Sequence, residues 1–86
     1  MIEIDEVIME LHNKQMKEQN IDKVSSPEME IRPRNGITSV TIVSLLLDIE
    51  EALDIELDDY LAEIRKCKTI GFFIDVIKEA YAEQHK

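Results

Sequence analysis

Apolar positions first recur with helical spacing at Ile4, Val7, Ile8 and Leu11. They follow the i, i+3, i+4, i+7 rule, which predicts a first helix over residues 2–19. Glu3, Glu6, Glu10, Lys14, Lys17 and Glu18 supply its wet face, acids early and lysines late, as the helix dipole favours. The period then fails. Ser25-Ser26-Pro27, Pro33 and Asn35-Gly36 are turn or breaker signals, so residues 20–37 read as a long loop. Within it Ile21, Val24, Met29 and Ile31 are expected to pin a strand-like chain across the fold. A loop of this length is uncommon in a compact domain and is often functional.

Helical spacing resumes over residues 39–53. Val40, Val43, Leu46, Leu47 and Leu53 are assigned to one side, widened by Ile42, Leu45 and Ile49, with Asp48 and Glu51 on the polar side. A helix apolar over more than half its circumference is expected both to enter the core and to carry a docking surface. Residues 54–57, Asp-Ile-Glu-Leu, read as a short extended link. Asp58 could cap a short third helix running through Arg65, with Tyr60, Leu61 and Ile64 inward. Thr69 could cap a last helix over residues 70–84, where Ile70, Phe73, Ile74, Ile77 and Tyr81 keep the spacing. Gly71 would allow close approach of a neighbour there.

The expected fold is all-α: a four-helix bundle with a short third helix and a long loop between helices one and two. Its expected core is Ile4, Val7, Ile8, Leu11, Val40, Val43, Leu47, Leu53, Ile64, Phe73, Ile74 and Ile77.

Composition narrows the function classes. The chain has 86 residues, which fits a single domain with a small core. Cys67 is the only cysteine, so no internal disulfide can form, and no His/Cys cluster offers a zinc site. The formal net charge of −9 repels phosphate backbones and anionic lipid and attracts proteins that present Lys and Arg. Nucleic acid and membrane insertion are therefore not expected, and the charge suits a monomer. The opening residues lack the basic stretch of a signal peptide. No apolar run approaches the ~18–20 residues of a membrane span. With a lone cysteine, this points to the cytoplasm.

The most informative stretch is Gly36-Ile37-Thr38-Ser39-Val40, followed by the apolar helix and then Asp48-Ile49-Glu50-Glu51-Ala52-Leu53-Asp54-Ile55-Glu56-Leu57. It resembles the acyl carrier protein family, in which Gly-x-Asp-Ser-Leu precedes an apolar helix with an acidic tail and an Asp-Ile-Glu-Ile-like link. The resemblance covers residues 36–57 strongly and the Thr69-Ile70 start of the last helix weakly. It implies a carrier-type bundle whose Ser39 is esterified to 4′-phosphopantetheine. It implies a non-enzymatic role, with acyl groups held as thioesters on that arm and delivered to partner enzymes. Those partners would be a phosphopantetheinyl transferase and the acyl-loading and acyl-modifying enzymes of fatty-acid, polyketide or related biosynthesis. The residues expected to dock them are Val40, Ile42, Val43, Leu46, Glu50 and Glu51.

Local physics supports the same serine. Gly36 permits a tight turn. Thr38 is a good N-cap, which makes Ser39 the first helical residue, beside unpaired N–H groups at the positive end of the dipole. The chain departs from the family at Thr38, where Asp is usual, and at Thr41 and Ser44, where fatty-acid carriers are often acidic. These departures favour a specialised pathway. The stretch from Asp58 to Lys68 is also longer than in the family.

The alternative reading is a non-enzymatic interaction bundle without the arm, using the apolar face of helix 39–53. No Ser-His-Asp or paired-carboxylate spacing supports an enzyme, and the acids lack the spacing of a calcium loop. Cys67 is expected to be a buried or half-buried small residue, and His12 and His85 surface residues. Arg32 and Arg34 flank the proposed site and could steady a phosphate.

Overall fold

A computed structural model describes residues 3–85. Helix α1 is Ile4–Glu18, α2 is Thr41–Leu53, α3 is Leu61–Arg65 and α4 is Ile70–Gln84. Single 3-10 turns at Pro33–Asn35 and Asp58–Tyr60 precede α2 and α3. The fold is all-helical, with no strand among the described residues. The expected start of the first helix at residue 2 lies outside the described residues.

Thr69 caps α4 as expected: its extended backbone ends the link, and its hydroxyl accepts from the Phe72 N–H. The loop before α2 does run strand-like, at a single antiparallel bridge between Glu30 and Thr69. The Ile31 N–H donates to the Lys68 carbonyl and the Ile70 N–H to the Met29 carbonyl, each at 2.9 Å. The Gly71 N–H then donates to the Pro27 carbonyl at 2.8 Å. A Cβ on Gly71 would sit 3.1 Å from that oxygen, so the glycine is what lets the loop close on α4.

Helix α1 packs on α2 and α4, and α3 packs on α4. The Lys78 ammonium lies 2.9 Å from the Asp5 carboxylate and ties α4 to α1 at the surface. Ile8, Leu53, Ile64, Phe73, Ile74 and Ile77 are buried as expected, and Ile4, Val7 and Leu11 pack half-buried against them. Each fully buried large side chain contributes about 1.5–3 kcal/mol. The radius of gyration, 12.0 Å, matches the roughly 12 Å of a compact chain of this length.

The face of α2 needs correction. Val40, Val43 and Leu47, expected in the core, are 78%, 53% and 59% exposed. The buried residues are Leu45, Leu46, Ile49 and Leu53, with Ile42 half-buried beside them. At about 100° per residue, these five fall within roughly 100° of arc, and Val43, Leu47 and Val40 fall opposite. Thr41, Ser44, Asp48 and Glu51 mark the wet side, which sets this phase; the count of apolar residues alone does not. Two smaller corrections follow the same logic. Val24 stands 79% exposed instead of pinning the loop, and Leu61 is 39% exposed because its short helix turns it toward a cleft instead of the core.

Candidate functional site

The approach to α2 is built by backbone geometry. Gly36 adopts φ +81°, the left-handed region, and closes the Pro33–Asn35 turn. Its carbonyl accepts from the Gln19 amide at 2.9 Å and from the Thr41 hydroxyl at 2.8 Å. Ile37 is buried and anchors the turn. Thr38 then acts as the cap. Its hydroxyl accepts from the Thr41 N–H at 3.1 Å and the Val40 N–H at 3.3 Å, and its carbonyl accepts from the Ile42 N–H at 2.9 Å.

Ser39 follows the cap directly, two residues before the regular helix begins. It is exposed, and its hydroxyl makes no hydrogen bond among the described residues. It stands at the positive end of α2, a favourable place for an anion. Ser39 also lines a cleft of about 530 Å³ between the loop, α2 and α3. Ile31, Ile37, Ile42, Leu46, Leu61 and Ile64 make its walls largely apolar, with Thr38, Val43, Arg65 and Cys67 at its margin. An apolar cleft of this size with a few polar groups on its wall has the build of a small-ligand site.

The residues expected to dock partners divide into two sets. Val40 and Glu51 point outward, Ile42 and the buried Leu46 line the cleft, and the exposed Val43 borders both. Glu50 is half-buried, and its carboxylate accepts from the Leu57 N–H at 2.8 Å, which fixes the link after α2. Arg32 and Arg34, considered for phosphate, both face the Glu30 carboxylate, at 2.9 and 2.7 Å. Those contacts, Arg32 foremost, hold the Glu30 carboxyl below its usual range.

A polar network absent from the sequence reading holds the loop. His12 is fully buried, which corrects its expected surface position. Its Nε2 lies 2.8 Å from the Asn35 carbonyl, which can only accept, so Nε2 carries the proton. Nδ1, 2.7 Å from the Ser25 hydroxyl, is then the acceptor in the neutral ring. Burial pushes the imidazole below its ordinary value, against the opposing pull of the Asn35 carbonyl. Asn35 is itself buried and donates to the Glu30 carbonyl at 2.7 Å, while Lys23 donates to its side-chain oxygen at 2.9 Å. Gln15 holds the Thr41 carbonyl from α1 at 3.0 Å. The signal for this network was the spacing Ile8–His12–Met16, which continues the buried face of α1 past Leu11.

His85 is exposed as expected, stacked on Tyr81 with ring centroids 4.2 Å apart. Its Nε2 donates toward the Leu53 and Asp54 carbonyls that end α2, each at 3.1 Å. Cys67 is half-buried as expected; burial, then Glu63 and Asp75, push its thiol up and make it a poor nucleophile. No group of three or more His, Cys, Asp or Glu among the described residues could hold a metal ion. None of the described helices is long and apolar enough to cross a membrane.

Comparisons with protein-family models, with curated proteins and with solved structures find no match for this chain.

Proposed function

We propose that the chain is an acyl carrier protein in which Ser39 holds a 4′-phosphopantetheine arm. The observation that carries this reading is the unengaged Ser39 hydroxyl, exposed beside the capped start of α2 and at the margin of an apolar cleft. The residues present fit such a group. The hydroxyl is open to a transferase, the helix terminus favours a phosphodiester, and the cleft walls suit an apolar chain. When bound, the arm supplies a thiol that carries acyl groups as thioesters. The protein's own part is to present the arm, to shelter what it carries and to raise its local concentration for partner enzymes. It performs no bond chemistry itself.

Partner enzymes would read the outward stripe of Val40, Val43 and Leu47 with Glu51 at its edge. An acidic chain favours partners with basic surfaces. Thr41 and Ser44 leave the first turns of α2 uncharged, which favours a specialised pathway over primary fatty-acid synthesis. The work is expected in the cytoplasm, as a monomer. Co-expression with a promiscuous phosphopantetheinyl transferase, followed by intact mass, tests the reading. The wild type should gain one phosphopantetheine and Ser39→Ala none.

The same exposed stripe favours a second reading, an interaction bundle without the arm. That reading expects Ser39→Ala to leave partner binding intact while Leu47→Asp abolishes it.

A further inference from the structure

We infer that the cleft where α4 meets α1 and the long loop is a docking site for a partner protein, and that it seats an arginine of that partner against Phe72 and Asp75. The inference stands whether or not Ser39 carries an arm. This cleft, about 320 Å³, shares no lining residue with the one beside Ser39. Asp5 of α1, Pro27 of the loop and Phe72, Ile74, Asp75 and Lys78 of α4 form its walls. At about 100° per residue, the buried Ile70, Phe73, Ile74, Ile77 and Ala80 span roughly 120° of α4, and Phe72 falls outside that arc. It is 64% exposed, so core packing does not account for a phenyl ring at this position. Asp75 follows it at i+3 on the same flank and is exposed.

Charge selects the occupant. Three charged side chains line the cleft, and two of them neutralise each other: the Lys78 ammonium sits 2.9 Å from the Asp5 carboxylate. That hydrogen bond is the main influence holding the Lys78 ammonium above its usual range, and Asp75 adds only a weaker charge effect. The Asp75 carboxylate has no ion-pair or hydrogen-bond partner among the described residues. The cleft therefore offers one unpaired negative charge beside an uncovered aromatic ring. A guanidinium answers both, since it stacks on an aromatic face and binds a carboxylate with its planar fork, while its methylene stem covers apolar surface. Lysine brings a compact, more strongly hydrated charge with no plane to stack. A free polyamine is better served elsewhere, where Glu56, Asp58, Asp59 and Glu83 line a pocket that no basic residue borders. What this cleft adds is apolar surface, and a chain of net charge −9 draws proteins that present arginine.

The test titrates the ¹⁵N-labelled full chain with the peptide acetyl-Gly-Arg-Gly-amide and follows its amide resonances. Shifts should concentrate at Gly71, Phe72, Asp75 and Lys78, and the arginine δ-methylene protons should move upfield under the Phe72 ring. Phe72→Ala and Asp75→Asn each change an exposed side chain, and each should weaken binding about two- to fivefold. Added salt should weaken it further. The same peptide with citrulline, which has the shape without the charge, should not bind. Glu10→Gln removes an exposed acid outside the cleft and should bind as wild type. Unchanged affinity in either Phe72→Ala or Asp75→Asn overturns the inference. So does an equal loss in Glu10→Gln, which would mean that the acidic surface attracts the peptide without a site. Spermidine that shifts the same amides as strongly also overturns it, because the occupant is then a free cation and not a protein.

Discussion

Thr38 and Thr41 cap each other. The Thr38 hydroxyl accepts from the Thr41 N–H at 3.1 Å, and the Thr41 hydroxyl accepts from the Thr38 N–H at 2.7 Å. This is a capping box closed by threonine where Glu or Gln is usual. It also commits Thr41 to the turn and to the Gly36 carbonyl. Thr38→Ala is expected to cost about 1 kcal/mol in urea unfolding, within the usual ~0.5–2 kcal/mol for a lost cap. Because the bonds are reciprocal, the double alanine variant should cost less than the sum of the singles. Strict additivity would contradict the box.

The phase of α2 is open to a direct comparison. Leu45→Ala and Ile49→Ala remove fully buried side chains and should each cost about 2–5 kcal/mol. Leu47→Ala and Val43→Ala act on exposed positions and should fall within about 0.5 kcal/mol of wild type. Chemical denaturation of the four variants decides it. A large loss at Leu47 would restore the face first expected from the sequence.

His12 makes stability depend on pH in a defined direction. Burial holds its native value below the ordinary 6.5, so the unfolded chain binds the proton more readily. Stability contributed by the neutral ring is full above about pH 6.5 and declines as pH falls below it. His12→Gln keeps a donor for the Asn35 carbonyl and does not titrate. It should be less stable than wild type near pH 7.5, and the gap should narrow toward pH 5. The Asp5 carboxyl, lowered chiefly by its hydrogen bond from Lys78, and the Glu30 carboxyl lose their contributions only as pH falls through a lower range. Thermal unfolding of both proteins across this window is the measurement, and a constant gap would count against the assignment.

Gly36 fixes the turn that delivers Ser39. At φ +81° an added Cβ costs about 1–2 kcal/mol in backbone strain. That Cβ would also meet Met16 Cγ and Gln19 Nε2 at 3.2 Å. Gly36→Ala should therefore lower the thermal midpoint and shift the amide resonances of Ile37 through Thr41. Unchanged resonances would show that the turn does not need the glycine.

Much of the fold was legible because its signals are local. Thr69 was readable as a cap from its place before Ile70, Phe73 and Ile74, and α4 begins where that reading put it. Gly36 and Thr38 were likewise readable from turn and cap chemistry. The buried face of α2 was harder, since eight apolar residues surround that helix and any of several phases hides most of them. Its polar residues, Thr41, Ser44, Asp48 and Glu51, held the answer. His12 was legible only in part: the Ile8–His12–Met16 spacing marks its face of α1 as buried, but not what it bonds. Its hydrogen-bond partners, Ser25 and Asn35, are 13 and 23 residues away, and no local pattern announces them.

The account rests on Ser39 as the site of modification, and peptide-level mass spectrometry tests that most directly. After co-expression with a promiscuous phosphopantetheinyl transferase, fragmentation of the peptide containing Gly36 to Val40 should place one phosphopantetheine on the Ser39 hydroxyl. An unmodified peptide, or the same mass carried on another residue, would contradict it.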